Sequence, residues 1–452
     1  MNLPAHFLAD LPPEAVLGAG MIAEACRSLR RNRERTLQSF TTERISAVIA
    51  QTAQQWLQED YPFRQLALTE GVGTIGYSSA TLRHGLDAFF REWTMENIHA
   101  LLAQDLGNPQ RLDQFSTLEA NRRPQCAIAT APEVLVQFVA GNLPVSAWTS
   151  LLLGLLIRSA QFIKCATGAA FFPRLLAHSL VETEPGLAGC LEIAEWPGGT
   201  TELEDALFAE ADLVTATGTD ETLAAIQARL PRRLRFVGYG HRVSFGYITR
   251  EALGGFAARQ TIDHAADDVI AWDQCGCLSP HLFFVESGGA MPPESFAEQL
   301  ADALARREET HPRRSLDVRE AAIIALKRDF YEIRAAASPD TQLWRSKDNT
   351  AWTVVFEGNP QFQLSCLNRF VYVKPVSGLT DALHGTDPVR GKVSTVGIAG
   401  PEQRMAEMAT ALARWGVTRV CPLGRMQAPP LTWRHDGRPA LGDLITWTDW
   451  ER

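Results

Sequence analysis

The chain has 452 residues, of which 46% are hydrophobic and 21% are charged, and its formal net charge at pH 7 is -9. This length is too great for one ordinary core and suits two sizeable domains, while the composition is that of a globular protein and excludes a disordered one. The negative charge argues against a nucleic-acid partner, because binding to phosphates requires a basic surface.

The first 120 residues or so are predicted to be mainly helical, because their apolar residues recur with the period of a helix. Amphipathic segments cover residues 14–31, 42–59 and 82–106. Four arginines between residues 30 and 35 are interrupted by Glu34. They therefore indicate the exposed face of a helix rather than a basic binding tract.

A regular alternation of strands and helices begins at residue 134, and it predicts a parallel sheet covered by helices. The predicted strands are 134–139, 161–164, 190–196 and 212–216. The predicted helices are 146–157, one that ends at 181, one opened by a capping box at Thr201 and Glu204, and 220–230. Residues 134–157 carry no charge, but Gly141, Asn142 and Pro144 interrupt them. A buried strand, turn and helix is therefore favoured over a membrane span.

A second α/β region is predicted after Gly246, with no low-complexity linker between the two regions. Its predicted helices are 293–307, 316–337 and 402–415, and its predicted strands are 281–285, 352–356 and 370–373. An extended tail follows the last helix.

A short turn with two cysteines, Asp273-Gln274-Cys275-Gly276-Cys277-Leu278-Ser279-Pro280, precedes the predicted strand 281–285. A thiol on a turn between two rigid elements can be aimed at a substrate, and Gly276 gives the backbone freedom to present Cys277. We therefore predict that Cys277 is a nucleophile and that Cys275 is the less favoured of the pair. A metal site is the rival use of the two thiols. No second cysteine pair supports it, so we predict no metal.

The other six cysteines are scattered along the chain and are predicted to be inert core residues. They form no framework of the kind that small secreted domains use. Residues 1–4 lack the basic and apolar regions of a secretory signal. We therefore expect a reducing cytoplasm.

Polar residues follow or end three predicted strands of the first region. Asn142 is expected either to cap the helix that follows it or to donate a hydrogen bond to the oxyanion of an acyl-transfer reaction. Lys164 ends a strand, where ligands collect in open α/β sheets, although a lysine extending from the sheet edge explains it equally well. The turn Thr217-Gly218-Thr219 precedes a helix, so its N–H groups are candidates for binding a phosphate, and a plain turn is the alternative.

Four motifs occur in the order seen in the aldehyde dehydrogenase superfamily. They are Gly141-Asn142-Leu143-Pro144, Phe162-Ile163-Lys164, Ala216-Thr217-Gly218-Thr219-Asp220-Glu221 and Asp273-Gln274-x-x-Cys277-x-Ser279-Pro280. The chain more specifically resembles the LuxC-type acyl-CoA reductases of that superfamily. This narrower resemblance is carried by Ser394-Thr395-Val396-Gly397-Ile398, Gly416-Val417-Thr418-Arg419-Val420, Pro422-Leu423-Gly424-Arg425-Met426 and Trp433-Arg434-His435-Asp436-Gly437-Arg438.

The resemblance, which covers roughly residues 120–452, implies an α/β fold with a Rossmann-like cofactor domain and an α/β catalytic domain. It divides the chain into a helical N-terminal part of the cofactor domain (1–120), a Rossmann-like cofactor-binding region (121–245), a catalytic domain (246–425) and an extended tail (426–452). We consider the tail a candidate for self-association into a homo-oligomer.

The resemblance also implies roles for single residues. Cys277 would accept the acyl group, Asn142 would donate to the oxyanion, and Lys164 would contact the adenosine ribose. The turn Thr217-Gly218-Thr219 would lie near the cofactor phosphates. Where oxidative members have a carboxylate three residues after the lysine, this chain has Thr167, which leaves room for a 2′-phosphate. NADPH is therefore favoured over NADH.

A second departure from the superfamily is the absence of a general base. The segment 237–242 offers no glutamate to activate water, and residues 364–370 offer none to hold the nicotinamide ribose. We therefore predict that an acyl-CoA or acyl-carrier-protein thioester acylates Cys277 and that hydride then releases an aldehyde. An oxidative aldehyde dehydrogenase and an acyl-transfer protein without a redox step remain as alternatives.

Overall fold

Helices and strands alternate along most of the chain in the computed structural model, which describes residues 3–12, 14–117 and 126–451. The α-helices are α1 (Ala19–Arg35), α2 (Thr42–Trp56), α3 (Pro62–Ile75), α4 (Ser79–Glu92), α5 (Met95–Leu106), α6 (Pro144–Leu156), α7 (Phe171–Thr183), α8 (Thr201–Glu210), α9 (Asp220–Arg229), α10 (Gly255–Ile270), α11 (Pro293–Thr310), α12 (Val318–Ala337), α13 (Leu379–Thr386) and α14 (Glu402–Trp415). The strands are β1 (Ser116–Thr117), β2 (Cys126–Thr130), β3 (Val134–Val139), β4 (Ala160–Cys165), β5 (Leu191–Glu195), β6 (Leu213–Thr217), β7 (Arg235–Tyr239), β8 (Val243–Ile248), β9 (Pro280–Glu286), β10 (Thr341–Arg345), β11 (Thr353–Glu357), β12 (Phe370–Val376), β13 (Val393–Ala399), β14 (Arg419–Pro422) and β15 (Thr446–Trp450). Within the described ranges, no helix is both long and apolar enough to span a lipid bilayer.

The N-terminal part is helical as predicted, but its helices are divided differently. The predicted helix over residues 82–106 is two helices, α4 and α5, because Thr94 caps α5 by accepting a hydrogen bond from the Asn97 N–H. The sequence does not predict α3. Arg64 and Gly71 are among the buried residues of α3, and they blur its apolar period.

A five-stranded parallel sheet with the order β5-β4-β3-β6-β7 confirms the predicted alternation. Val134 and Val136 pack with α1, α8 and α9, whereas Leu135 packs with α6 and α7, so helices cover both faces. The chain leaves β5 and returns as β6 beside β3. The strand order therefore reverses between β3 and β6, and ligands bind in open α/β sheets at the carboxyl ends of strands at such a point.

A seven-stranded sheet follows, with the order β10-β11-β12-β9-β8-β13-β14. Only the edge strand β10 runs antiparallel to its neighbour. The cysteine turn leads into β9 at the centre of this sheet, beside the start of β8. Cys277 therefore lies at the amino edge of the second sheet.

The tail returns to the first half of the chain. Its strand β15 pairs antiparallel with β2 in a third sheet of order β1-β2-β15. The second sheet begins at Val243, three residues before the predicted start of the second region. The predicted boundary between residues 120 and 121 lies outside the described residues, and the division into domains stays a prediction.

The predicted capping box at the start of α8 is wrong. The N-cap of α8 is Thr200, and no side chain accepts a hydrogen bond there. The Glu204 carboxylate instead accepts from the Gly199 N–H at 2.9 Å and forms an ion pair with Arg229. A turn N–H and a cationic side chain therefore hold this carboxylate, so it does not reach back to the N-cap.

Candidate active site

Buried charges hold the backbone before the cysteine turn in an uncommon conformation. The φ angles of Trp272, Asp273 and Gln274 are 50°, 49° and 67°, in the left-handed region that residues other than glycine rarely adopt. Arg369 Nε donates to Asp273 Oδ1 at 2.7 Å, and the Arg314 main-chain N–H donates to Asp273 Oδ2 at 2.9 Å. Because the Asp273 and Arg369 side chains are completely buried, this pair fixes the segment that leads to the thiols.

Cys277 is exposed at this turn, as a nucleophile that meets a substrate must be. Its carbonyl accepts from Ser244 Oγ at 2.8 Å, which ties the turn to the start of β8. Protein atoms nevertheless surround the thiol, and this desolvation, together with the nearby Asp436 carboxylate, raises the pKa of Cys277 to about 11. Arg242 and Arg419 oppose the rise in this pKa. A thiol with a pKa this high is protonated at neutral pH.

Cys275 is partly buried and engaged with the protein interior. Its Sγ lies 3.7 Å from Asn368 Oδ1, which also accepts from Arg314 Nε at 3.0 Å. Burial raises the pKa of the Cys275 thiol. Cys277 is therefore the better placed of the two for a substrate, and its catalytic role stays a prediction. Within the described ranges, no three His, Cys, Asp or Glu side chains lie close enough together to hold a metal ion.

The Asn142 amide lies against the cysteine turn, with Nδ2 donating to the Cys275 carbonyl at 3.0 Å. The alternative in which Asn142 caps α6 is wrong, because the N-cap is Leu143 and no side chain accepts a hydrogen bond there. A primary amide carries two N–H bonds. One of them fixes the Asn142 side chain against Cys275, and the other has no hydrogen-bond partner among the described residues. The role of Asn142 as an oxyanion donor stays a prediction.

The C-terminal segment 433–438 brings side chains to the thiol that the sequence does not predict there. Asp436 Oδ2 accepts from Arg242 Nε at 2.9 Å, and the Asp436 side chain is only 2% exposed. Among the described residues, its second oxygen is buried without a hydrogen-bond partner. His435 stacks on Tyr239 with ring centroids 4.6 Å apart. The segment 237–242 has no glutamate, but its Arg242 is paired with a carboxylate, Asp436, from the tail.

Lys164 lies near the carboxyl end of β4 and is only 5% exposed. Its ammonium lies 5.9 Å from the ring centre of Phe138 and 5.6 Å from that of Trp196, and no described carboxylate is within 4 Å of it. Burial lowers the pKa of Lys164. A buried ammonium without an ion-pair partner fits a ligand rich in oxygen atoms, such as a dinucleotide, at this edge of the sheet.

Thr167 is exposed in the turn after β4. Glu195 at the end of β5, which the sequence reasoning missed, holds this turn by accepting from the Gly168 N–H at 2.6 Å and the Ala170 N–H at 3.0 Å. The Glu195 carboxylate therefore lies near Thr167, although residue 167 itself is neutral. Each Glu195 oxygen already accepts a main-chain N–H, so the carboxylate is committed to the turn.

The turn Thr217-Gly218-Thr219 joins β6 to α9 at the same edge of the sheet. Thr219 Oγ1 accepts from the Thr222 N–H at 3.3 Å and so caps α9. The Gly218 N–H donates to the Tyr239 carbonyl at 3.2 Å and is not free for a phosphate. Because this cap takes the Thr222 N–H, only the N–H groups before it at the start of α9 remain as donors for such a group.

A family model and several known proteins match most of this chain. The family model for acyl-CoA reductase (LuxC) matches residues 37–447. The long-chain acyl-protein thioester reductase of Aliivibrio fischeri is 25% identical over 413 residues, which cover 88% of this chain and 80% of that protein. The corresponding enzyme of Vibrio harveyi is 21% identical over 412 residues, which cover 89% of this chain and 81% of that protein.

Solved structures of aldehyde dehydrogenases share the fold. A NAD-dependent benzaldehyde dehydrogenase from Corynebacterium glutamicum superposes with a TM-score of 0.71 at 13% identity, over 97% of this chain and 90% of that chain. The indole-3-acetaldehyde dehydrogenase of P. syringae superposes with a TM-score of 0.72 at 14% identity, over 97% and 90% of the two chains. The predicted aldehyde dehydrogenase-like fold is confirmed. The chain therefore belongs to the acyl-CoA reductase (LuxC) family, and it is an oxidoreductase that acts on acyl thioesters.

Proposed function

We propose that the protein reduces an acyl thioester, carried by coenzyme A or by a carrier protein, to an aldehyde through an acyl group on Cys277. The observation that carries this proposal is the arrangement of two side chains. The exposed Cys277 thiol lies on a fixed turn, and the Asn142 amide is bonded to that same turn with one N–H to spare. A nucleophile and an oxyanion donor on one rigid support are what acyl transfer requires.

In the first half of the reaction, Cys277 loses its proton and its sulfur bonds to the thioester carbonyl carbon. The free N–H of Asn142 and the Cys277 main-chain N–H stabilise the oxyanion. The carbon–sulfur bond to the carrier then breaks, and the carrier thiol leaves with the proton that Cys277 gave up. The thiol pKa of about 11 means that this proton has to be removed on or just before attack.

In the second half, the acyl carbon on Cys277 is reduced, and NADPH, when bound, would supply the hydride. Asn142 again stabilises the negative oxygen of the thiohemiacetal anion that forms on Cys277. The bond between carbon and Cys277 then breaks, the aldehyde leaves, and Cys277 takes a proton from solvent. We propose Lys164 for the adenosine ribose and the neutral Thr167 as the reason that NADPH is favoured over NADH. For the phosphates we propose the turn Thr217-Gly218-Thr219, through the N–H groups that remain at the start of α9 rather than through the Gly218 N–H.

The charged pair near Cys277 supports reduction over hydrolysis. Hydrolytic aldehyde dehydrogenases use a free glutamate to activate water, whereas Asp436 is ion-paired with Arg242. An oxidative aldehyde dehydrogenase is therefore the weaker alternative. An acyl-transfer protein without a redox step is the other alternative, and it would have no need of the buried ammonium of Lys164.

We also propose that the tail 426–452 takes part in self-association. Among the described residues, β15 lies at the end of its sheet's strand order, and its side chains are exposed. A strand at the end of a sheet can add a strand from another chain. A reducing cytoplasm fits a chain whose eight cysteines are all free.

The test is consumption of NADPH across a panel of acyl-CoAs of increasing chain length. We expect NADPH oxidation with stoichiometric aldehyde and free coenzyme A, and no NADPH formation from free aldehyde and NADP⁺ in the absence of a thiol. Release of coenzyme A without NADPH oxidation, together with no NADPH binding, would establish the acyl-transfer alternative. Oxidation of free aldehydes to acids would establish the dehydrogenase alternative.

A further inference from the structure

Tyr77 connects the helical N-terminal part of the chain to the candidate active site. It lies between α3 and α4 and is 2% exposed. Its hydroxyl lies 3.2 Å from the Asn142 carbonyl and 3.4 Å from the Trp272 carbonyl. Asn142 belongs to the loop after β3 and Trp272 to the segment before the cysteine turn, so one hydroxyl reaches both loops.

These contacts close a ring that contains Asn142 and the segment 272–275, which leads to Cys277. Tyr77 contacts the main chain of Asn142, and the Asn142 side chain donates to the Cys275 carbonyl at 3.0 Å. Cys275 in turn is three residues from Trp272, whose carbonyl faces the same Tyr77 hydroxyl. A phenol has one hydrogen, so Tyr77 donates to one of the two carbonyls at a time.

The Tyr77 ring is itself held from two sides. It packs edge-on against Trp272 with ring centroids 5.4 Å apart, and the Arg314 guanidinium lies 5.9 Å from its centre. A Cβ at position 85 would collide with the Trp272 ring, so Gly85 allows α4 to pack closely against it. The Ser315 N–H donates to the Gly76 carbonyl at 3.1 Å, which fixes the backbone next to Tyr77.

The hydroxyl of Tyr77 keeps its proton over the working pH range, because burial raises the pKa of this phenol well above its usual value. It is therefore a permanent hydrogen-bond donor to the two loops. The distance between the Asn142 amide and Cys277 depends on the relative position of these loops, and misplacing a catalytic group by about 1 Å can cost ~10²-fold in rate.

We infer that Tyr77 is a positioning residue, whose hydroxyl holds the Asn142 loop against the cysteine turn so that the free amide N–H faces the reacting carbonyl. This inference rests on the proposed function, in which Asn142 stabilises the oxyanion. The Tyr77 hydroxyl also contacts the Cys275 thiol, the less favoured of the pair, and its proposed effect on the reaction runs through the position of Asn142.

A double-mutant cycle with Tyr77→Phe and Asn142→Ala tests the inference. We expect Asn142→Ala to lower kcat by roughly 10² to 10³. Tyr77→Phe should lower kcat by roughly tenfold, with KM within about twofold of wild type, because the amide is displaced rather than removed. If Tyr77 acts through Asn142, adding Tyr77→Phe to Asn142→Ala should cause no further loss beyond about twofold.

The matched control is Tyr61→Phe, which removes the hydroxyl of another buried tyrosine of the helical part that contacts neither loop. All rates are divided by the concentration of reactive Cys277 thiol, so a poorly folded fraction does not lower them. A normal kcat for Tyr77→Phe, or full multiplication of the two effects in the double mutant, would overturn the inference while leaving the proposed function intact. A normal kcat for Asn142→Ala would overturn both.

Discussion

Charges of opposite sign surround the Cys277 thiol, and they come from distant parts of the sequence. Desolvation raises the pKa of Cys277 most, and Asp436 raises it further, while Arg242 and Arg419 lower it. Asp436 and Arg242 are also bonded to each other. Desolvation is the largest cause of the raised pKa of Cys277, and the Arg242–Asp436 pair modifies it.

Asp436→Asn should lower the pKa of Cys277, because it removes a negative charge that disfavours the thiolate. The pH dependence of alkylation of Cys277 by iodoacetamide measures this shift. At neutral pH the mutant should react several-fold faster, and each tenfold change corresponds to ~1.4 kcal/mol. The control is Asp443→Asn, which removes another carboxylate of the tail that pairs with Arg438. An unchanged or higher apparent pKa in Asp436→Asn would contradict this account of the site.

The candidate nucleophile and oxyanion donor could be proposed from the sequence, whereas the charges around them could not. Cys277 and Asn142 each sit in a short stretch whose turn residues and neighbouring apolar runs are visible locally. Arg242 and Asp436 meet only because the tail folds back over the end of β7. The dipeptide Asp436-Gly437 is a local sequence signal for a turn, and both residues have positive φ in the structure. That signal indicates a turn, and it says nothing about the thiol.

At the scale of elements, the turn between β4 and α7 governs the expected choice of cofactor. Thr167 is neutral, and Glu195 from β5 is tied to the main chain of the same turn. Thr167→Glu should shift the ratio of kcat/KM values from NADPH towards NADH, because a second carboxylate there repels a 2′-phosphate. Steady-state kinetics with both cofactors measure the shift, with ~1.4 kcal/mol for each tenfold change in the ratio.

Two results would count against this account of the turn. One is a wild-type enzyme that already prefers NADH, and the other is an unchanged ratio in a folded Thr167→Glu protein. Glu195→Gln is the complementary variant, because it removes a negative charge from the same turn and should move the ratio towards NADPH. A shift towards NADH in Glu195→Gln would show that the turn itself, rather than its charge, binds the ribose.

Elements with a clear period and clear ends could be predicted from the sequence, and elements held by distant partners could not. The helix α14 matches its predicted bounds, and β3 does so as well. The helix α3 is not predicted, because a charged residue, Arg64, lies on its buried face and interrupts the apolar period. The Arg64 side chain donates to the Trp56 carbonyl at 3.0 Å. The capping box of α8 fails because Glu204 finds Arg229 and a glycine turn instead.

At the scale of the whole molecule, the proposed arrangement of Cys277 and Asn142 depends on the way two sheets face each other. The carboxyl edge of the five-stranded sheet carries Asn142 and Lys164, and the amino edge of the seven-stranded sheet carries Cys277. Alternation of strands and helices predicts each sheet separately. The way the sheets face each other, and the return of the tail to β2, depend on long-range packing that no sequence window contains.

The central claim is that Cys277 carries the acyl group, and the mass of the intact protein tests it most directly. Incubation with a long-chain acyl-CoA in the absence of NADPH should add one acyl mass to the wild type and to Cys275→Ala, and none to Cys277→Ala. Addition of NADPH should then remove the adduct and yield one equivalent of aldehyde. An adduct that persists in Cys277→Ala and disappears in Cys275→Ala would contradict the account.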